Sequence, residues 1–205
     1  MSQSRRHPIR AILFDFGGVL AEEGFRDGLQ AIATRQGLDP EAMHRAGMAA
    51  IYDSGYVLGR ASAADFWRLM RERTGLYGQD TELTDEILSR FVARSWALEL
   101  VKRLRRRGLL TAILSDQTDW LDRLNARDNF FKAFDYVFNS YRLGKGKHDP
   151  SLFDDVVHWL AIRPEQAVFI DDAPDNIERA RTRGLRALLY QNRRRLEEDL
   201  DTIFR

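Results

Sequence analysis

"AILFDFGGVL", residues 11–20, sets four apolar residues against a single aspartate, Asp15, and then runs on through two glycines. A short uninterrupted apolar run closed by a polar residue reads as a strand buried on both faces, the kind found inside a parallel sheet. A carboxylate at the tip of such a strand stands where open α/β sheets bind their ligands. Gly17 and Gly18 then let the chain turn tightly past it.

Outward from this stretch the same pattern recurs. "LLTAIL" at 109–114, "YVF" at 136–138 and "AVFI" at 167–170 are further candidate strands, and "RALLY" at 186–190, after Gly184, is a candidate edge partner. Between them lie helical patterns. "ALELVKRLRRRG" carries Leu98, Val101 and Leu104 on one stripe and ends at Gly108, a helix stop. "TDWLDRLNAR", "DPSLFDDVVHWL" and "APDNIERARTRG" are the others. Strand and helix in alternation predict a doubly wound, Rossmann-like α/β fold with a parallel sheet and right-handed crossovers. Residues 21–95 break the rhythm, with helical periodicity and no convincing strand. The economical reading is an all-helical cap inserted after the first strand, leaving 1–20 and 96–205 as the α/β core. Such a cap would sit over the strand tips.

Composition narrows the function. The 205 residues are 44% hydrophobic and 31% charged, as expected of a soluble globular chain, and 32 basic against 31 acidic residues leave a net charge of +1. No global field therefore marks the chain for nucleic acid or an acidic membrane, and the Arg runs at 105–107 and 193–195 read as solvated helix faces. The absence of cysteine excludes disulfides, thiolate zinc sites and a cysteine nucleophile. His7, His44, His148 and His158 show no metal-ligand spacing, which argues against zinc or iron. The arginines before the first apolar run imitate a secretory signal, but Asp15 interrupts that run well short of the roughly 7–15 apolar residues required. A cytoplasmic location is the expectation, and the oligomeric state stays open.

The polar residues at the strand tips carry the chemistry. Asp15 follows the first run, Ser115-Asp116 the second and Asp171-Asp172 the fourth, while Lys147 precedes a helix that Asp149 and Pro150 are suited to start. Gathered at one rim, these carboxylates would offer hard oxygen ligands to Mg²⁺, and Ser115 and Lys147 would hold phosphoryl oxygens. An aspartate aimed in line at phosphorus can attack it, and water then cleaves the aspartyl phosphate.

The four pieces resemble the four motifs of the haloacid dehalogenase-like hydrolase superfamily. "ILFDFGGVL" resembles the first, "AILSD" the second, Lys147 of "GKGKHDP" the third and "VFIDDAPDN" the fourth. The glycine-rich first motif and the "DD...N" ending look closest to the group that includes glucose-1-phosphate phosphatases. The resemblance implies that Asp15 is the nucleophile, with Lys147 as its catalytic partner. It also implies that Asp15, the Phe16 carbonyl and Asp171 or Asp172 hold Mg²⁺, and that Ser115, Asp116 and Lys147 line the phosphate site. The expected activity is Mg²⁺-dependent hydrolysis of a small phosphorylated metabolite such as a sugar phosphate. The alternatives are haloacid dehalogenation and a catalytically weak domain that binds a phosphorylated ligand as a regulator.

Three departures from the family pattern matter. Most phosphatases of this family carry a second aspartate two residues after the nucleophile as general acid and base, but position 17 is Gly. Its loss costs about 10²- to 10⁴-fold unless another group substitutes, and Glu22, Glu23 and Asp116 are the candidates. The family's dehalogenases share that gap, and so does the glucose-1-phosphate phosphatase-like group. Asp116 replaces the usual asparagine after Ser115, and His148 replaces the usual proline after Lys147, which is preferred to Lys145 because it keeps the spacing to Asp149-Pro150. In the cap, Tyr56, Arg60 and Trp67 are candidates for substrate contact, although aromatics at such spacing are more often cap core. Asn176 is expected to stiffen the fourth motif, or to reach Lys147.

Overall fold

Every residue of the opening apolar run is buried in strand β1 (Ala11–Phe14). In the computed structural model, which describes residues 8–204, four helices follow: α1 (Gly24–Gln36), α2 (Pro40–Asp53), α3 (Ala63–Thr74) and α4 (Asp80–Arg90). The chain then runs through α5 (Ser95–Arg106), β2 (Leu110–Ser115), α6 (Trp120–Asp128), β3 (Tyr136–Asn139) and the short α7 (Ser140–Leu143). It ends with α8 (Ser151–Trp159), β4 (Ala167–Asp171), α9 (Pro174–Thr182), β5 (Arg186–Leu189) and α10 (Arg193–Phe204). The arginine pair expected to imitate a signal segment, and His7, lie outside the described residues.

The sheet order is β3-β2-β1-β4-β5, and every pairing is parallel. The chain builds outward from β1 on one side and from β4 on the other, so the strand order reverses between those two strands. That reversal opens a crevice beyond their carboxyl ends. Because side chains alternate across a strand, β1 feeds two cores. Ile12 and Phe14 join Ile113, Val168 and Ile170 in a layer shared with Val101 of α5, Leu121 of α6 and Leu196 of α10. Ala11 and Leu13 join Leu114 and Phe169 against Phe153 of α8 and Ile177 of α9.

The inserted helices pack on one another, α1 against α2 and α4, and α2 against α3. Local signals set their starts: Asp39 caps α2 ahead of Pro40, and Ser62 and Asp65 form a reciprocal capping box at α3. Leu29, Met43, Trp67 and Ile87 belong to the same apolar cluster as Phe14 and Ile170, so the cap shares its core with one face of the sheet. Where the chain leaves and re-enters the sheet, Ala21 and Ala93 form an antiparallel bridge, with Arg94 N–H donating to the Leu20 carbonyl at 2.8 Å. No helix among the described residues is long and apolar enough to cross a membrane.

Candidate active site

Strand register creates the site. Phe14 pairs with Ile170, so the residues that follow them, Asp15 and Asp171, emerge side by side, and Asp15 N–H donates to the Ile170 carbonyl at 2.8 Å. On the other flank β2 ends at Ser115, paired with Asn139 of β3. The loop before α8 brings Lys147 back over this edge, its Nζ 3.0 Å from Asp15 Oδ1 and 2.7 Å from Asp171 Oδ2. One carboxylate oxygen from each of Asp15, Asp171 and Asp172 lies within 4.8 Å of the others.

The two neighbouring aspartates of β4's tip divide their work. Asp171 is fully buried and accepts from Lys147 Nζ, from Ala173 N–H at 2.7 Å and from Asn176 Nδ2 at 3.2 and 3.1 Å. Asn176 therefore reaches Lys147 only through Asp171, and it braces the loop as expected. Asp172 is open to the cavity. Its carboxylate lies over Gly18, where a methyl group would stand 2.0 Å from Oδ2, and Gly18 has φ of +75°. Only glycine satisfies both conditions without strain. Asp15 is held in one orientation by Phe16 N–H, which donates to its Oδ1 at 2.7 Å.

Burial pushes the Asp15 carboxyl well above its ordinary range; Lys147 pulls it back, while Asp171 and Asp172 push it further up. Asp172 is raised by burial and by Asp171. Burial disfavours the Lys147 ammonium, yet Asp15, Asp171 and Asp116 outweigh that and hold it above its ordinary value. Three carboxylates surround one ammonium, and the oxygens of Asp15 and Asp172 that remain open offer hard donors. Such donors suit a divalent cation such as Mg²⁺.

Three expectations need correction. The Phe16 carbonyl already accepts from Leu20 and Ala21 N–H, each at 2.9 Å, which engages both its lone pairs and leaves none for a metal. Asp116 lines the cavity, but its carboxylate accepts the Lys147 N–H at 2.9 and 3.0 Å and the Tyr52 hydroxyl at 2.8 Å. It ties the Lys147 loop to the cap, and its oxygens are committed to that tie rather than to a substrate. Tyr56 is buried with its hydroxyl donating to Asp119, Arg60 donates to the Gly144 carbonyl at 3.1 Å, and Trp67 is buried with Nε1 donating to Thr84 at 2.9 Å, so none of the three lines the cavity. Lys145, the alternative to Lys147, is turned to Asp155 at 2.5 Å and Ser151 at 3.0 Å, in keeping with the preference for Lys147.

Asp15, Ser115, Lys147 and Asp172 open into a cavity of about 550 Å³ between sheet and cap. The cap side of that cavity includes Phe25, Arg26, His44 and Tyr52. Sequence reading missed these four because their exposure to the cavity depends on how α1 and α2 are rotated. Helical periodicity assigns a face to the interior without saying which interior.

With this geometry in place, comparison with known proteins gives the family. The chain matches the haloacid dehalogenase-like hydrolase family over residues 9–182, and it belongs to that family. Bifunctional epoxide hydrolase 2 of Mus musculus is 28% identical over 102 residues, 46% of this chain and 18% of that one. The chain thus spans a small part of that relative. The phosphorylated carbohydrates phosphatase of Thermotoga maritima is 26% identical over 180 residues, 86% of this chain and 82% of that one. Among solved structures, a HAD-family enzyme of Bacteroides thetaiotaomicron superposes with a TM-score of 0.75 at 23% identity, over 97% of this chain and 100% of that one. A form of it in complex with magnesium and inorganic phosphate gives 0.69 at 21% identity, over 89% and 94%. L-2-haloacid dehalogenase of Xanthobacter autotrophicus gives 0.65 at 20% identity, over 95% and 83%. These structural likenesses establish the fold.

Proposed function

We propose that this hydrolase is a Mg²⁺-dependent phosphatase of small phosphomonoesters, sugar phosphates among them, working through an aspartyl phosphate on Asp15. The observation that carries the reading is the Lys147 ammonium set between Asp15 and Asp171 at 3.0 and 2.7 Å, with Asp172 opening into the same cavity. Two of the three Lys147 donors are engaged by those carboxylates, leaving one for a phosphoryl oxygen. Ser115, at the tip of β2 in the cavity wall, offers a second contact through its hydroxyl. Asp15 and Asp172 would hold the cation, while Asp171, whose oxygens are already engaged, orients Lys147 and the loop. Bound Mg²⁺ supplies positive charge that offsets repulsion between Asp15 and the incoming phosphate. Asp15 then attacks phosphorus, the alcohol departs, and water cleaves the acyl phosphate. The likeness to the T. maritima phosphatase, over most of both chains, supports the substrate class.

Phosphate release from a panel of sugar phosphates and simple phosphomonoesters is the test, run in Mg²⁺ and in EDTA beside Asp15→Asn. Turnover is expected only in Mg²⁺ and only with Asp15 intact. Dehalogenation is the second reading, consistent with the glycine at position 17. Halide release from 2-haloacids in EDTA would establish it, but the acidic pair Asp171-Asp172 then has no metal to hold.

A further inference from the structure

Hydrolysis through Asp15 needs a group that gives a proton to the departing alcohol and takes one from the attacking water. The candidates separate by geometry. Glu22 faces away from the cavity and is gripped by Arg94, whose Nε and second terminal nitrogen donate at 3.0 and 2.7 Å. Asp116 is committed to the Lys147 N–H and the Tyr52 hydroxyl. The His148 ring is stacked on Tyr52 with centroids 4.4 Å apart. Lys147 is locked between two carboxylates.

Glu23 is placed differently. It caps α1, and one of its oxygens accepts Arg26 N–H at 3.4 Å. Its other oxygen, Oε2, lies 3.2 Å from the point where a Cβ at position 17 would stand, and the residue lines the cavity with Asp15. The carboxyl from the start of the cap thus fills the space that a side chain two residues beyond Asp15 would enter. Among the described residues Glu23 makes no ion pair, and burial pushes its carboxyl above the ordinary range.

We infer that Glu23 is the general acid and base of this site, an assignment that rests on the phosphatase reading above. Its carboxyl gives a proton to the ester oxygen as the bond from phosphorus to that oxygen breaks and the bond from Asp15 to phosphorus forms. The resulting Glu23 carboxylate takes a proton from water as the water oxygen bonds to phosphorus. The Asp15 acyl phosphate then breaks, which releases inorganic phosphate and restores both carboxyl groups to their starting states.

Leaving-group dependence in Mg²⁺ tests this, with an alkyl ester (glycerol 2-phosphate) beside an acidic aryl ester (p-nitrophenyl phosphate). Glu23→Gln is expected to lower kcat/KM for the alkyl ester by about 10²- to 10⁴-fold and far less for the aryl ester, whose leaving group needs no proton. It should also show a burst of nitrophenol as the acyl phosphate accumulates. Gly17 is not among the glycines at positive φ, so its backbone accepts an aspartate once the glutamate is shortened. Gly17→Asp/Glu23→Ala is accordingly expected to recover at least about tenfold of the alkyl-ester activity lost in Glu23→Ala. Equal losses on both esters, or no loss on the alkyl ester while the wild type turns over, would overturn the role of Glu23 alone. A wild type inactive on both esters would overturn it together with the phosphatase reading.

Discussion

Lys147 Nζ lies 2.7 Å from Asp171 Oδ2, and the two side chains are 3% and 0% exposed. Removing one partner of such a pair leaves the other as an uncompensated buried charge, at a cost of about 3–5 kcal/mol. Lys147→Met is expected to lose stability on that scale in urea denaturation. Adding Asp171→Asn should recover part of the loss without restoring any phosphate release. Full stability in the single variant would show that the pair is not desolvated in solution.

Gly18 is where the backbone makes room for Asp172. At φ of +75°, with Asp172 Oδ2 only 2.0 Å from the space its methyl would need, Gly18→Ala must displace that carboxylate. A displaced ligand support costs about 10- to 100-fold in metal affinity. Mg²⁺ titration monitored by thermal shift should show that weakening, and unchanged Mg²⁺ affinity would remove Asp172 from the ligand set.

Tyr52 joins cap to core through a hydroxyl that donates to Asp116 Oδ2 at 2.8 Å. Burial and then the Asp116 charge hold the phenol protonated, so the bond persists across the working pH range. Hydrogen bonds to charged groups contribute about 1.5–3 kcal/mol. Tyr52→Phe is expected to lose stability of that order and to raise KM more than it lowers kcat, because the reacting groups are untouched while the cap is less firmly held over them. Steady-state kinetics with thermal denaturation read both effects.

The Glu22–Arg94 pair sits beside the bridge between cap and sheet, and Arg94 also donates to the Gly18 carbonyl at 2.6 Å. Hydrogen bonding from Arg94 lowers the Glu22 carboxyl below its ordinary value. A folded-state value depressed in this way contributes stability above the unfolded value of about 4.3 and loses it as pH falls through the lower folded value. Because Glu22 is half exposed, the contribution is at most about 1 kcal/mol. The melting-temperature gap between wild type and Glu22→Gln should therefore be small and constant above about pH 5 and close at more acid pH. A gap that widens in acid would reverse this sign.

The apolar runs and the polar residue closing each of them determined the strands, the parallel sheet and the meeting of Asp15, Ser115 and Asp171 at one edge. That information is local: alternation and run length fix where a strand ends, and parallel register places successive strand ends in one row. Even the missing acid at position 17 was visible as a glycine. Which carboxyl fills its place was not, because Glu22 and Glu23 differ by one position and only the turn into α1 sends the first to Arg94 and the second into the cavity. Tertiary packing likewise buried Tyr56 and Trp67 and left Tyr52 on the cavity wall. It also gave the Phe16 carbonyl two backbone donors and closed Asp171 while leaving Asp172 open. Those outcomes depend on the rotation of helices about their axes and on which hydrogen-bonding groups lie within about 3 Å, and both are set by contacts between residues distant in sequence.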